Sequence, residues 1–290
     1  GLLINKSPIE DLSAMPMDLQ DYAGLRDLSL LNVVEAEGSS MIQTLQQATM
    51  AIQSGLAKKV VCVFADTPLQ PGGSAAESFA IAMPMMGKLG TEVANGFYSA
   101  IAAYAMAAQR YLAVYNRTTD DLAVVAIANR EWARLNPLAK IKKPMTIEDH
   151  HASPWLVEPL RMLDCAYPVN GSIAVVVSDV ETAKESKEYP AYIYGMGQGH
   201  KGNTNRRGYQ PEIETGAKKA AQTAFDMAGV TVDDIDACEF YDAFIISTLI
   251  NLEMYGFCKS GKAAHFISDK GIRTGWHLRD KTGSCKHSGY

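Results

Sequence analysis

The stretch Ser40-Met-Ile-Gln-Thr-Leu-Gln-Gln-Ala-Thr-Met-Ala-Ile-Gln-Ser-Gly-Leu-Ala-Lys-Lys-Val-Val-Cys-Val-Phe-Ala65 decides the fold class. From Ser40 to Gly55 its apolar residues recur at helical spacing, and the glycine closes the run, so an amphipathic helix is expected there. From Lys59 to Ala65 the residues are apolar without interruption, the pattern of a strand in a parallel sheet covered on both faces. Together they form one αβ unit, and the class is α/β.

The same alternation extends outward. Ala94 to Asn116 predicts a long Ala-rich helix, and Thr119-Asp120-Asp121 predicts the cap of another that runs to about Leu135 before Asn136-Pro137 stops it. Ile173 to Ser178 is a second apolar strand, so residues 67–169 form a long insertion, read as a helical loop domain over the sheet. The charged stretch Glu181 to Glu188 is the expected boundary before strand character resumes at Ala191 to Tyr194. This divides the chain into residues 1–187, including the loop domain at about 67–169, and residues 188–290. Gly1-Leu-Leu-Ile4 is similar to Cys238-Glu-Phe-Tyr241, a faint internal repeat. The helix and turn preceding the second copy have no counterpart before Gly1, and nothing after it matches residues 40–65. The chain is therefore expected to be partial at both ends.

Composition excludes several classes. The net charge is −5 and the only basic cluster is Lys201 with Arg206 and Arg207, too small for a nucleic-acid duplex but suited to a phosphate. No run approaches the roughly 18 apolar residues of a membrane span, and no leader pattern opens the sequence, so a cytoplasmic protein is expected. The five cysteines are odd in number, widely spaced and without CxxC spacing, which favours free thiols over disulfides and leaves zinc without support.

Chemistry points to Asp236-Ala-Cys-Glu-Phe-Tyr-Asp-Ala-Phe244. Ala228 to Asp236 reads as a helix stop, a capped turn and a strand entry, and Ile245 to Tyr255 is apolar at helical spacing. Tyr241 and Asp242 thus fall at a strand-to-helix junction, where α/β enzymes place reactive groups.

Taken in order, several segments resemble the thiolase superfamily, in the branch of the sterol-carrier-protein-type thiolases and the lipid-transfer-protein (steroid side-chain) aldolases. They are Val34 to Ser40, Tyr104 to Tyr111 with Leu122 to Asn136, Pro144 to Asp149, Pro159 to Cys165 with Asn170 to Val177, and Tyr241 to Phe244 followed by Leu252 to Cys258. The resemblance implies two similar halves, each with a five-stranded mixed sheet, stacked as αβαβα layers with the loop domain inserted in the first half. It also implies a homodimer, a coenzyme A thioester as substrate with no bound cofactor or metal, and a small OB-fold, zinc-ribbon partner protein beside the acyl-CoA entrance.

In thiolases a nucleophilic cysteine sits at the start of the helix that here begins near Ser40, where the helix dipole lowers a thiol's pKa. The resemblance puts that position at Gly38, so an acyl-cysteine mechanism is not expected. Gly38, Ser39 and Ser40 are instead candidates for contacting substrate, although the plainer reading of Ser39 or Ser40 is the cap of the helix. Where thiolases carry Asn or His this chain has Tyr241, similar to the aldolase branch, in which a tyrosine serves retro-aldol cleavage of a β-hydroxyacyl-CoA. Tyr241 and Asp242 are therefore the expected catalytic residues, with Tyr290 in the divergent tail as a second tyrosine. Lys201, Arg206 and Arg207 are the candidates for the coenzyme A phosphates.

Two other readings stay open: a thiolase or acetyl-CoA acetyltransferase-like enzyme using a thiol from elsewhere, with Cys285 as the thiol and His287 beside it, and a non-catalytic acyl-CoA or lipid-binding scaffold subunit. Among weaker features, Gly195-Met-Gly-Gln-Gly199 has dinucleotide-fold glycines but no following helix, so a flexible loop is expected. His150-His151 lacks a third metal ligand and reads as a helix end or an interface. Met83, Met85 and Met86 read as lining of an acyl tunnel or a dimer contact.

Overall fold

The computed structural model describes residues 1–5, 15–69, 71–72, 87–97, 99–187, 189–201 and 213–270. In chain order its strands are β1 (Leu2–Asn5), β2 (Leu31–Val34), β3 (Lys59–Asp66), β4 (Trp155–Val157), β5 (Leu160–Arg161) and β6 (Gly171–Ser178). Its helices are α1 (Met15–Tyr22), α2 (Ser40–Gln53), α3 (Gly87–Ala94), α4 (Ser99–Tyr115), α5 (Thr119–Leu135), α6 (Ile147–Ala152), α7 (Val180–Lys184), α8 (Ala217–Ala228), α9 (Ile246–Met254) and α10 (Ala263–Lys270). The chain divides into two compact units, Gly1–Met83 with Tyr167–Tyr192, and Pro84–Ala166 with Ile193–Tyr290.

The first unit is built on a four-stranded sheet of order β2-β1-β3-β6. β1 lies between β2 and β3, parallel to both, and all of its residues are buried. The residues that decided the class behave as their periodicity requires. α2 turns Ala48 inward onto Leu3, Val60 and Cys62, with Met41, Leu45 and Ile52 around them. A small residue at the centre of the contact lets the helix approach the sheet closely. β6 returns after the insertion and runs antiparallel to β3, from Lys59↔Ser178 to Asp66↔Gly171. The sheet is therefore mixed, and β2 and β6 are its edges among the described residues.

The second unit is mainly helical. Its core joins Ala105, Ala108 and Tyr111 of α4, Leu122, Val125 and Ala126 of α5, Ile246, Leu249 and Leu252 of α9, and Ile267 of α10. α5 is capped by Thr118, one residue before the expected position, whose side chain accepts from the Asp120 amide. Thr146 and Asp149 close a reciprocal capping box at the start of α6. The buried Glu253 takes three donors on one carboxylate oxygen: the Tyr111 hydroxyl at 2.5 Å and the amides of Lys262 and Ala263, each at 3.1 Å. It thereby ties α4 and α9 to the start of α10, a structural use of a carboxylate beside a helix N-terminus.

Four sequence expectations are corrected. The helix expected from Ala94 begins at Ser99, because Gly96 takes φ 81° and breaks the run. Ala191 to Tyr194 and Cys238 to Tyr241, with the composition of strands, form no ladder. β propensity shapes such segments, but only a paired neighbour makes a strand, and among described residues the sole pairing here is an isolated antiparallel bridge between Cys165 and Phe244.

Gly195 to Gly199 is not a flexible loop. A Cβ on Gly195 would strike the carbonyl oxygen of Ala224, one on Gly197 that of Ala220, and one on Gly199 that of Gly216. Two residues of extended chain advance about 6.6 Å and four residues of helix about 6.0 Å. Every second residue of the segment thus meets every fourth residue along α8 and its entry, and only glycine fits so close an approach.

Candidate active site

Tyr241 and Asp242 lie in the second unit, in the extended link that enters α9. The residues on either side are drawn inward by aromatic contacts. The Phe240 ring stands 5.6 Å from that of Tyr255, and the Phe244 ring 4.6 Å from that of Tyr104 on α4. With its neighbours anchored, Tyr241 is left 59% exposed.

Asp242 takes the opposite course and is partly buried. Its Oδ2 accepts a hydrogen bond from Asn129 Nδ2 of α5 at 2.5 Å. Burial raises its carboxyl above the ordinary aspartate range, while the Asn129 bond and its own backbone amide pull the other way. A carboxyl moved toward neutrality is the better proton acceptor in a reaction near pH 7. Asn129 escaped the sequence reading because a polar residue on a helix carries no sign of a partner 113 positions away.

Behind this link lies a second polar layer. Ile245 donates to the Asp164 carbonyl at 3.0 Å, and Ala166 donates to the Ala243 carbonyl at 3.0 Å, so residues 164–166 and 243–245 are laced together around the Cys165–Phe244 bridge. The Asp164 side chain is fully buried, with Oδ1 2.6 Å from His150 Nε2 and Oδ2 accepting from the Arg161 amide at 2.7 Å. His151 pairs separately with Asp120 at 3.0 Å. The two imidazole rings meet edge-on at 5.6 Å but take different carboxylate partners, and no group of three or more potential metal ligands occurs among the described residues.

The turn before α2 belongs to the first unit. Glu37–Ser39 forms a single 3-10 turn that leads into the helix, with Gly38 and Ser39 exposed and Ser40 buried. Ser39 occupies the cap position, yet its side chain does not cap. Its Oγ donates to the Ala36 carbonyl at 2.8 Å and accepts from Gln43 at 2.8 Å. Ser40 Oγ accepts from the Ala36 amide at 2.7 Å. Both hydroxyls therefore fasten the turn, because the α-helical backbone at Ser39 (φ −91°, ψ −4°) points its side chain away from the helix-start amides.

Lys201 faces Glu214 at 3.5 Å, so its charge is already answered. Arg206, Arg207, Tyr290, Cys285, His287 and Met83, Met85 and Met86 lie outside the described residues. The cysteines that are described are free thiols. Burial raises the thiol of Cys62, and it pushes Cys165 and Cys258 up to about 12, helped by Asp164 and Glu253 respectively. None of these three is a ready nucleophile.

The protein-family model described as "Thiolase C-terminal domain-like" matches residues 197–282. The chain is 32% identical over 289 residues to the 17-hydroxy-3-oxo-4-pregnene-20-carboxyl-CoA lyase of Mycobacterium tuberculosis, covering 95% of this chain and 75% of that protein. It is 33% identical over 274 residues to the steroid side-chain-cleaving aldolase of Thermomonospora curvata, covering 88% of this chain and 67% of that protein. Among solved structures, the Ltp2-ChsH2(DUF35) aldolase superposes with a TM-score of 0.78 at 30% identity, over 93% of this chain and 71% of that one.

Proposed function

Because this chain belongs to the thiolase superfamily, in the branch of the sterol-carrier-protein-type thiolases and steroid side-chain aldolases, we propose that it cleaves a carbon-carbon bond of a CoA-linked lipid side chain by a retro-aldol step. It is a carbon-carbon lyase of thiolase-like fold. The substrate on this reading is a β-hydroxyacyl-CoA. The observation that carries the assignment to particular residues is the paired setting of Tyr241 and Asp242, one exposed and the other partly buried and bonded to Asn129.

The step balances with these groups alone. A base takes the β-hydroxyl proton, the oxygen lone pair forms a carbonyl, and the bond between the α and β carbons breaks. Its electron pair passes to the α carbon as a thioester enolate, which is then protonated to give the shortened acyl-CoA. In our reading the Tyr241 phenol meets the β-hydroxyl, and Asp242, raised by burial, supports the proton transfer. Gly38 supports the aldolase over the acyltransferase reading, because a residue without a side chain stands where the resemblance places the thiolase cysteine. Tyr290, Arg206 and Arg207 stay in the proposal as the second tyrosine and the phosphate contacts. Lys201 would have to leave Glu214 to join them.

Three wider features belong to the same proposal. The first is the pair of thiolase-like halves, residues 1–187 with the loop domain at about 67–169, and residues 188–290. The second is a homodimer, supported by β6, an edge strand among the described residues that leaves Ile173 54% and Val176 62% exposed. The third is a small OB-fold, zinc-ribbon partner subunit, supported by the likeness to the Ltp2-ChsH2(DUF35) aldolase. A cytoplasmic setting agrees with the free thiols, and no described helix is long and apolar enough to cross a membrane. The test is incubation with a bulky β-hydroxyacyl-CoA, with and without the partner subunit. Release of a ketone or aldehyde with a shortened acyl-CoA supports the proposal; thiolysis of a β-ketoacyl-CoA by free CoA, or binding without turnover, counts against it.

A further inference from the structure

We propose that the buried His150–Asp164 pair is the positioning device of the reaction, holding the backbone that presents Tyr241 and Asp242. The inference rests on the catalytic assignment above and adds residues that do not touch substrate.

His150 and Asp164 are both fully buried, which is expensive for a pair of polar, ionisable side chains. Such a pair adds little net stability compared with apolar residues of similar volume. Its cost finds a return in where it leads. Asp164 uses one carboxylate oxygen on His150 Nε2 at 2.6 Å and the other on the Arg161 amide at 2.7 Å. With its side chain held from two sides, its carbonyl is presented to the Ile245 amide at 3.0 Å. The neighbouring Ala166 amide reaches the Ala243 carbonyl, also at 3.0 Å. Two hydrogen bonds therefore grip the residues directly after Asp242 and before α9.

Asn129 grips the link from the other side through the Asp242 carboxylate. The link thus cannot slide along α9 without breaking either the ladder or the Asn129 bond. The tilt of the Asp164 carbonyl, in turn, depends on His150. Among the described residues His150 Nδ1 has no hydrogen-bond partner, so the imidazole's polar contact is spent on Asp164. A ring serving only to fill space would be better as Phe.

The geometry predicts a graded response. His150→Phe keeps the ring volume and removes the donor, whereas His150→Gln restores an Nε–H at a similar reach. We expect folded His150→Phe to lose about 10²-fold in kcat on a bulky β-hydroxyacyl-CoA, the scale of a 1 Å misplacement of a reacting group. KM should stay within about threefold, because binding contacts are untouched. His150→Gln should recover most of the kcat. Wild-type kcat in folded His150→Phe overturns the proposal, and so does an equal loss in both variants with KM rising in step. If His150→Phe does not fold, Asp164→Asn takes its place, and wild-type kcat there overturns the proposal equally. Hydrogen exchange at the Ile245 and Ala166 amides keeps this test separate from that of the reaction. Faster exchange is expected in His150→Phe, with protection restored in His150→Gln, and unchanged exchange in folded His150→Phe contradicts the clamp even if no substrate turns over. Wild-type protein that protects both amides but cleaves nothing defeats the reaction and not the clamp.

Discussion

Asn129, on the fifth helix, donates a 2.5 Å hydrogen bond to Asp242, 113 positions further along the chain. That contact sets the working state of the carboxyl. Burial raises it and the Asn129 donor lowers it, so Asn129→Leu should move the Asp242 pKa further upward. If Asp242 acts as a base, the acid limb of kcat/KM shifts to higher pH in Asn129→Leu; a pH-rate profile checks this, and an unmoved or lowered limb removes Asp242 from the proton path.

The same raised carboxyl carries a stability cost with a definite sign. The folded state binds the Asp242 proton more tightly than the unfolded chain does, so this group's contribution is full below the ordinary aspartate pKa of about 3.9. It is lost as pH rises through the raised folded value. Asp242→Asn should therefore gain thermal stability relative to wild type at pH 7, with the gain vanishing near pH 4. Activity should drop by roughly 10²-fold or more. Melting curves at the two pH values decide it.

How much of this was legible in the residues follows from how local each signal is. The helix and strand of residues 40–65 are stated by spacing alone, and both formed. The capping box of Thr146 and Asp149 lies within four residues and is readable in the same way. Asn129 with Asp242, and Asp164 with residues 243–245, join segments far apart in sequence, and no periodicity announces them. The glycines at 195, 197 and 199 did carry a signal. Spacing of two in an extended segment puts all three on one face, which argues for close packing rather than a phosphate loop.

Gly197→Ala tests that packing. The added methyl meets a backbone carbonyl of α8, which cannot swing aside like a side-chain tip. We expect a loss of about 1–3 kcal/mol or more, the range for forced overpacking, against near-neutrality for Gly171→Ala, where among the described residues nothing lies within 4 Å of a Cβ and φ is not positive. Equilibrium unfolding in urea measures both; equal effects would show that the close approach is not specific.

Thiol chemistry provides an independent check on the acyltransferase alternative. With Cys165 and Cys258 pushed up to about 12 and Cys62 raised by burial, iodoacetamide at pH 7.5 should leave these three unlabelled in the folded protein. Peptide mass spectrometry reads the outcome. Rapid labelling of any of them, or of Cys285, with loss of turnover would restore a cysteine mechanism.

The most direct measurement compares wild type with Tyr241→Phe on a bulky β-hydroxyacyl-CoA, following the carbonyl product and the shortened acyl-CoA by mass spectrometry. We expect the wild type to release both in equal amounts, and Tyr241→Phe to bind the substrate as tightly while turning it over about 10²- to 10⁴-fold more slowly. Undiminished cleavage by Tyr241→Phe would contradict the central assignment.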